Sequence, residues 1–174
     1  MRKPLKIILT TGSCFIALVV VAIVSGVRIN TTTSYPLGIY LMADDPIAKG
    51  ALVIFCPTDN AAFRAARERG YIGAGFCPDG YGYMIKKILA AENDRVEITT
   101  AGVSVNGMLL PNSTPMNSDS EGKPLPHIEM NIASLDDHSV LLMSDYNPKS
   151  FDARYFGLVD RSNIISAIRP VWTW

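Results

Sequence analysis

Thr32-Thr33-Ser34-Tyr35-Pro36-Leu37-Gly38-Ile39-Tyr40 joins small hydroxyl residues, a proline and a glycine just after a long apolar run. This mix favours a tight turn that holds Ser34 clear of the fold. A serine hydroxyl is a weak nucleophile at neutral pH and needs a base beside it. Tyr83-Met84-Ile85-Lys86-Lys87-Ile88-Leu89-Ala90 supplies the candidate, Lys86. Serines in loops are mostly turn formers, so Ser34 gains meaning only together with Lys86.

Upstream of the turn, residues 5–27 read LKIILTTGSCFIALVVVAIVSGV, and about 20 apolar residues suffice to cross a bilayer as a helix. Arg2, Lys3 and Lys6 precede most of this run and Arg28 follows it, which orients the N-terminus to the cytoplasm and exports the rest. The reading is a membrane anchor over residues 1–28 and an exported domain over 29–174. A cleaved secretory signal is the alternative, since Ser25-Gly26 offers small residues near the end of the run. The length of the run and the lack of an A-x-A ending favour the anchor. The 174 residues allow one domain with a sizeable core beside such an anchor. Sixteen Lys+Arg balance sixteen Asp+Glu, so charge gives no reason to expect a nucleic-acid partner. His127 and His138 lack metal-ligand spacing, and no HExxH, CxxC or phosphate-binding loop occurs, so neither cofactor nor metal is expected.

Downstream of the turn the chain reads mainly as strands. Residues 51–55 form a short β-branched and aromatic run, and residues 83–90 form another, in which period-two alternation sends Lys86 and Lys87 to opposite faces. Between them residues 60–69 read as a helix, within an insertion spanning about 57–80. Cys56 and Cys77 flank that insertion; in an oxidising compartment they can pair, and otherwise they remain two free thiols. Cys14 lies in the apolar run and reads as a small hydrophobe. Residues 95–99 and 103–110 read as strands with a hairpin at Asn106-Gly107, residues 111–126 as an exposed loop, and 139–143 as a strand. Short apolar runs over 156–174 are expected to close the sheet.

The order of these stretches resembles the signal peptidase family of Ser/Lys proteases, and within it the conjugal-transfer branch. Ser34-x-Pro36-x-Gly38-x-Tyr40 is similar to the branch's nucleophile motif, and Lys86-Lys87-Ile88-Leu89 followed by Asn93-Asp94-x-Val96-x-Ile98 to the family's lysine box. Val105-Asn106-Gly107 resembles a recurrent hairpin, and Ser150-Phe151-Asp152-Ala153-Arg154-Tyr155-Phe156-Gly157 the C-terminal box. The chain departs from general leader peptidases at Tyr35, Lys87, Ala90 and Asn93, where they carry Met, Arg, Gly and Gly, and at Ser144-Asp145-Tyr146, where they carry Gly-Asp-Asn.

The resemblance implies a mainly β, signal-peptidase-like domain with a small helical insertion, preceded by one N-terminal transmembrane helix. It implies Ser34 as nucleophile, Lys86 as base, and Asp152 as a third member that orients Lys86 or stabilises its charged form. Read without it, Asp152 is a partner for Arg154 or a turn cap. The resemblance also implies Thr32 as an oxyanion donor and Ser150 as a hydrogen-bond partner of Lys86; read without it, they are a solvated linker threonine and a turn residue. An ordinary lysine, with a pKa near 10.4, is protonated at neutral pH. Lys86 therefore has to be desolvated among Met84, Ile85, Ile88 and Leu89, unless it snorkels at a strand edge. The implied function is a serine endopeptidase on the periplasmic face of the inner membrane. It processes a propilin for the conjugation machinery and joins the pilin ends into a ring, or, with water as acceptor, simply trims the pilin. A general leader peptidase is the first alternative, and a non-enzymatic, membrane-anchored assembly factor of a secretion or conjugation apparatus is the second.

Overall fold

The computed structural model describes residues 2–174, with side chains from residue 8 onward. Helix α1 (Arg2–Val24) leads into β1 (Val27–Asn30) and β2 (Gly38–Ala43). Then come β3 (Leu52–Phe55), α2 (Ala61–Glu68), β4 (Met84–Ala90), β5 (Val96–Thr99), β6 (Gly102–Val105) and β7 (Met108–Leu109). The chain ends with β8 (Met130–Ile132), β9 (Ser139–Met143), α3 (Ala153–Phe156), β10 (Val159–Asp160) and β11 (Ile164–Thr173). A seven-stranded sheet has the order β1-β2-β11-β3-β4-β9-β10, and a four-stranded sheet the order β7-β6-β5-β8. The mainly β expectation is met.

Alternation along β3 and β4 divides two apolar clusters. Val53, Phe55, Met84 and Ile88 enter the large core, whereas Ile54 and Ile85 join Tyr35, Tyr40 and Ile168 in a smaller cluster on the other face. Register sets Lys86 directly opposite Val53. Lys86 therefore shares the large-core face and is 1% exposed.

One sequence expectation changes and two details are added. The last strand joins the sheet from within: β11 lies between β2 and β3, because its apolar residues Ile164, Ala167 and Ile168 have neighbours on both sides to bury against. Met130–Ile132, for which the sequence carried no expectation, forms a strand, β8, held by its register with β5. Residues 111–126 are not uniformly exposed, since Ser113 is buried and its hydroxyl accepts from Val103 N at 3.0 Å. The hairpin stands as expected, with φ of 53° at Asn106 and 80° at Gly107, both on the left-handed side that Asn-Gly tolerates.

Asn60 caps α2 by accepting from Phe63 N at 3.0 Å, and the buried face of the helix sets Phe63 4.8 Å from Phe156. Cys56 and Cys77 are bonded, Cα to Cα 5.4 Å, and close the insertion. A cross-link over a loop of this size stabilises by about 3 kcal/mol. Cys56→Ser, Cys77→Ser and the double variant are expected to lower unfolding free energy by that one amount each, measured by urea titration; unequal losses would mean that one thiol packs independently.

Among the described residues no helix is long and apolar enough to cross a membrane. Part of the expected anchor, Met1 and the side chains of residues 2–7, lies outside the described residues. From Ile8 to Val24 the large apolar side chains of α1 are exposed, Phe15, Leu18 and Val24 by 67%, 68% and 81%. Cys14 is free and exposed rather than packed.

Candidate active site

The turn between β1 and β2 is held from several sides. Asn30, buried at the end of β1, donates from Nδ2 to the carbonyls of Tyr35 and Pro36, both at 3.0 Å. Its Oδ1 accepts from the Thr32 amide at 3.0 Å and from the Thr32 hydroxyl at 2.9 Å. From across the fold, Ser144 Oγ donates to Ser34 O at 2.6 Å and Asn147 Nδ2 to Thr33 O at 2.9 Å. Gly38 makes the exit possible: a Cβ there would stand 2.2 Å from Trp172 O of β11. The turn is thus over-determined by side chains, as a protruding nucleophile requires.

Within this frame Lys86 Nζ lies 2.8 Å from Ser34 Oγ, and Ser150 Oγ donates to Ser34 Oγ at 3.1 Å. Burial is the main influence on Lys86 and brings its pKa down to about 8. The Asp152 charge pulls the value up and the Arg154 charge pushes it down. The three residues converge beside a cavity of about 350 Å³, whose apolar wall includes Ile72, Met84, Met116 and Phe151. Among the described residues the Ser34 N–H has no acceptor.

Other sequence expectations find different partners. Ser150 bonds to Ser34, not to Lys86. Asp152 makes no hydrogen bond to Lys86; its carboxylate accepts from Arg154 Nε and Nη2, each at 2.8 Å, and from Ser144 N at 3.1 Å. Asp152 therefore reaches Lys86 through its field. The Thr32 hydroxyl is donated to Asn30.

The pairing of Asp152 with Arg154, read from the sequence without the resemblance, is the one observed, and Asn30 and Ser144, to which sequence reasoning gave no role, help to hold the site together. Arg154, fully buried, donates to the carbonyls of Asn112, Thr114, Pro148 and Ser150 as well as to Asp152. Asn30 and Ser144 are short polar residues at the ends of apolar strands, and such positions are a weak signal of turn bracing. Asn30→Ala removes four hydrogen bonds from the turn. It is expected to lower stability by about 2 kcal/mol and to slow turnover; unchanged stability in urea titration would mean that water replaces the amide without loss.

The family described as "Signal peptidase, peptidase S26" matches residues 2–174. The Plasmid transfer protein TraF of Escherichia coli is 49% identical over 173 residues, 99% of this chain and 98% of that protein. The Conjugal transfer protein TraF of Agrobacterium tumefaciens (strain 15955) is 37% identical over 178 residues, 100% of this chain and 99% of its own. Signal peptidase I of Enterococcus faecalis V583 aligns with a TM-score of 0.40 and 13% identity, over 72% of this chain and 98% of that one. With a match that runs through the turn, the lysine strand and the C-terminal box alike, the chain belongs to the signal peptidase family, peptidase S26.

Proposed function

We propose that this chain is a serine endopeptidase in which Ser34 is the nucleophile and Lys86 the base, acting on a membrane-held propilin for conjugative transfer. The observation that carries it is the fully buried Lys86 with Nζ 2.8 Å from Ser34 Oγ, beside an open cavity. Neutral Lys86 accepts the Ser34 proton as Oγ attacks the scissile carbonyl. The Ser34 N–H is free to donate to the oxyanion, while the Thr32 hydroxyl contributes only by leaving Asn30. The proton then passes from Lys86 to the leaving amine, the C–N bond breaks, and an acyl ester on Ser34 remains. If the N-terminal amine of the pilin attacks that ester, a cyclic pilin is released and the proton returns to Ser34; if water attacks, the product is a trimmed linear chain.

Asp152 serves as an electrostatic third member, favouring the charged lysine formed during attack. Extended peptide adds beside the start of β4, where Met84, Ile85 and Lys86 line the cavity while β9 pairs only from Lys87 onward. The exposed apolar flank of α1 supports a retained anchor over residues 1–28 that places the domain of residues 29–174 at the periplasmic face of the inner membrane. A place in conjugative transfer is supported by the names of the TraF relatives, a plasmid transfer protein and a conjugal transfer protein, and the pilin substrate is part of the proposal.

The test is the intact mass of the pilin co-expressed with wild type or Ser34→Ala. Trimming with loss of one further water indicates cyclisation; trimming alone indicates hydrolysis; an unchanged mass in both strains sinks pilin processing and favours the assembly-factor alternative. Activity is expected to rise as pH increases through about 8, where Lys86 loses its proton, and to level off above. A profile flat from pH 6 to 9 would exclude Lys86 as base.

A further inference from the structure

Lys87 faces away from the cavity, and its side chain has a partner of its own. Lys87 Nζ donates to Asp145 Oδ2 at 2.7 Å. The other oxygen of the same carboxylate, Oδ1, accepts from the Tyr35 hydroxyl at 2.9 Å. Tyr35 is buried and immediately follows Ser34, and Lys87 immediately follows Lys86. The dipeptide Ser34-Tyr35 is therefore attached to the dipeptide Lys86-Lys87 at two points on opposite faces of β4. One attachment is direct, from Ser34 to Lys86, and the other runs through Asp145.

We infer that Lys87, Asp145 and Tyr35 are positioning residues that set the orientation of the Ser34 hydroxyl toward Lys86. Asn30, Ser144 and Asn147 hold the backbone of the turn, whereas the contact through Asp145 ties the residue next to Ser34 to the residue next to Lys86 on the far side of the strand. The carboxylate is well suited to the task. It accepts two donors at once, and the ammonium beside it keeps it ionised and strengthens the bond to the phenol. The clamp also meets the backbone of the turn, because Ser144, which precedes Asp145, donates to Ser34 O. Asp145 itself is steadied by Asn112 Nδ2, which donates to its carbonyl at 3.0 Å, and Tyr146 stacks on Tyr35 with ring centroids 6.2 Å apart. Reactive geometry is sensitive on this scale, since a displacement of about 1 Å can slow a reaction by about a hundredfold.

The inference rests on Ser34 as nucleophile, and its test reads both ideas separately. Full-length protein in detergent is acylated with 4-nitrophenyl acetate, and the burst rate is followed against ester concentration to split limiting rate from saturation constant. Tyr35→Phe, which removes only the hydroxyl, is expected to lower the limiting rate at least tenfold with the saturation constant unchanged. Lys87→Met is expected to give a similar loss, Lys87→Arg to recover most of it, and Tyr35→Phe/Lys87→Met to be no slower than the slower single variant. A wild-type limiting rate in Tyr35→Phe, or fully additive losses in the double variant, overturns the clamp. A fall in thermal midpoint with the limiting rate intact overturns it too, as the mark of a merely structural bond. A burst in Ser34→Ala equal to wild type removes the nucleophile assignment and the clamp with it.

Discussion

Lys86→Met is expected to make the protein more stable at neutral pH while abolishing turnover. Lys86 is buried on the sheet face that carries Val53, Met84 and Ile88, and its pKa of about 8 lies well below the ordinary 10.5. The unfolded chain therefore holds a proton between pH 8 and 10.5 that the folded protein has released. Below pH 8 the folded state carries the full cost of a desolvated ammonium, about 3 kcal/mol. That cost fades as pH rises from 8 toward 10.5, so wild-type stability increases over this window on account of this group. Methionine has nearly the same shape and no charge, and it removes the cost at every pH. Urea unfolding at pH 7 should give Lys86→Met an advantage of about 3 kcal/mol, shrinking toward zero by pH 10.5. A residue kept at such a loss to the fold is best explained by chemistry. If Lys86→Met proves less stable than wild type at pH 7, the lysine is a packing element and the base assignment loses its physical ground.

Arg154→Met is expected to have the largest destabilising effect of any single change in the site. Arg154 and Asp152 are both fully buried and joined by two 2.8 Å bonds. Removing the guanidinium leaves a buried carboxylate unpaired, a change that costs roughly 3–5 kcal/mol. It also frees the carbonyls of Asn112, Thr114, Pro148 and Ser150, through which Arg154 ties two loop segments to α3. The thermal midpoint should fall accordingly, and Asp152→Asn/Arg154→Met should recover part of the loss because no charge is then stranded. A double variant no better than Arg154→Met would show that the carbonyl contacts, not the ion pair, dominate.

The strands β3, β4, β5, β6 and β9, the hairpin at Asn106-Gly107, the helix α2 and the opposed faces of Lys86 and Lys87 were legible because each is a local property. Period-two alternation and a turn needing positive φ lie within a few residues of chain. Resemblance to a family brought Ser34, Lys86 and Asp152 together as candidates, and of the two readings open for Cys56 and Cys77 the fold has the bonded one. The three-residue strand β8 escaped notice because it forms only where β5 presents a matching edge. The place of β11 within the sheet was not legible because apolar runs look alike whether they end a sheet or lie within it.

The sequence by itself determined which residues turn, which alternate and which are too apolar to stay in water. Only the tertiary structure decided that Ser34 meets Lys86 from 52 residues away, that Ser144 grips the Ser34 carbonyl from 110 away, and that Asp152 is held by Arg154 rather than by Lys86. The physical reason is register. A slip of one residue in β4 would exchange the faces of Lys86 and Lys87, and the pairing with β3 that prevents it is a contact between segments that no local pattern contains.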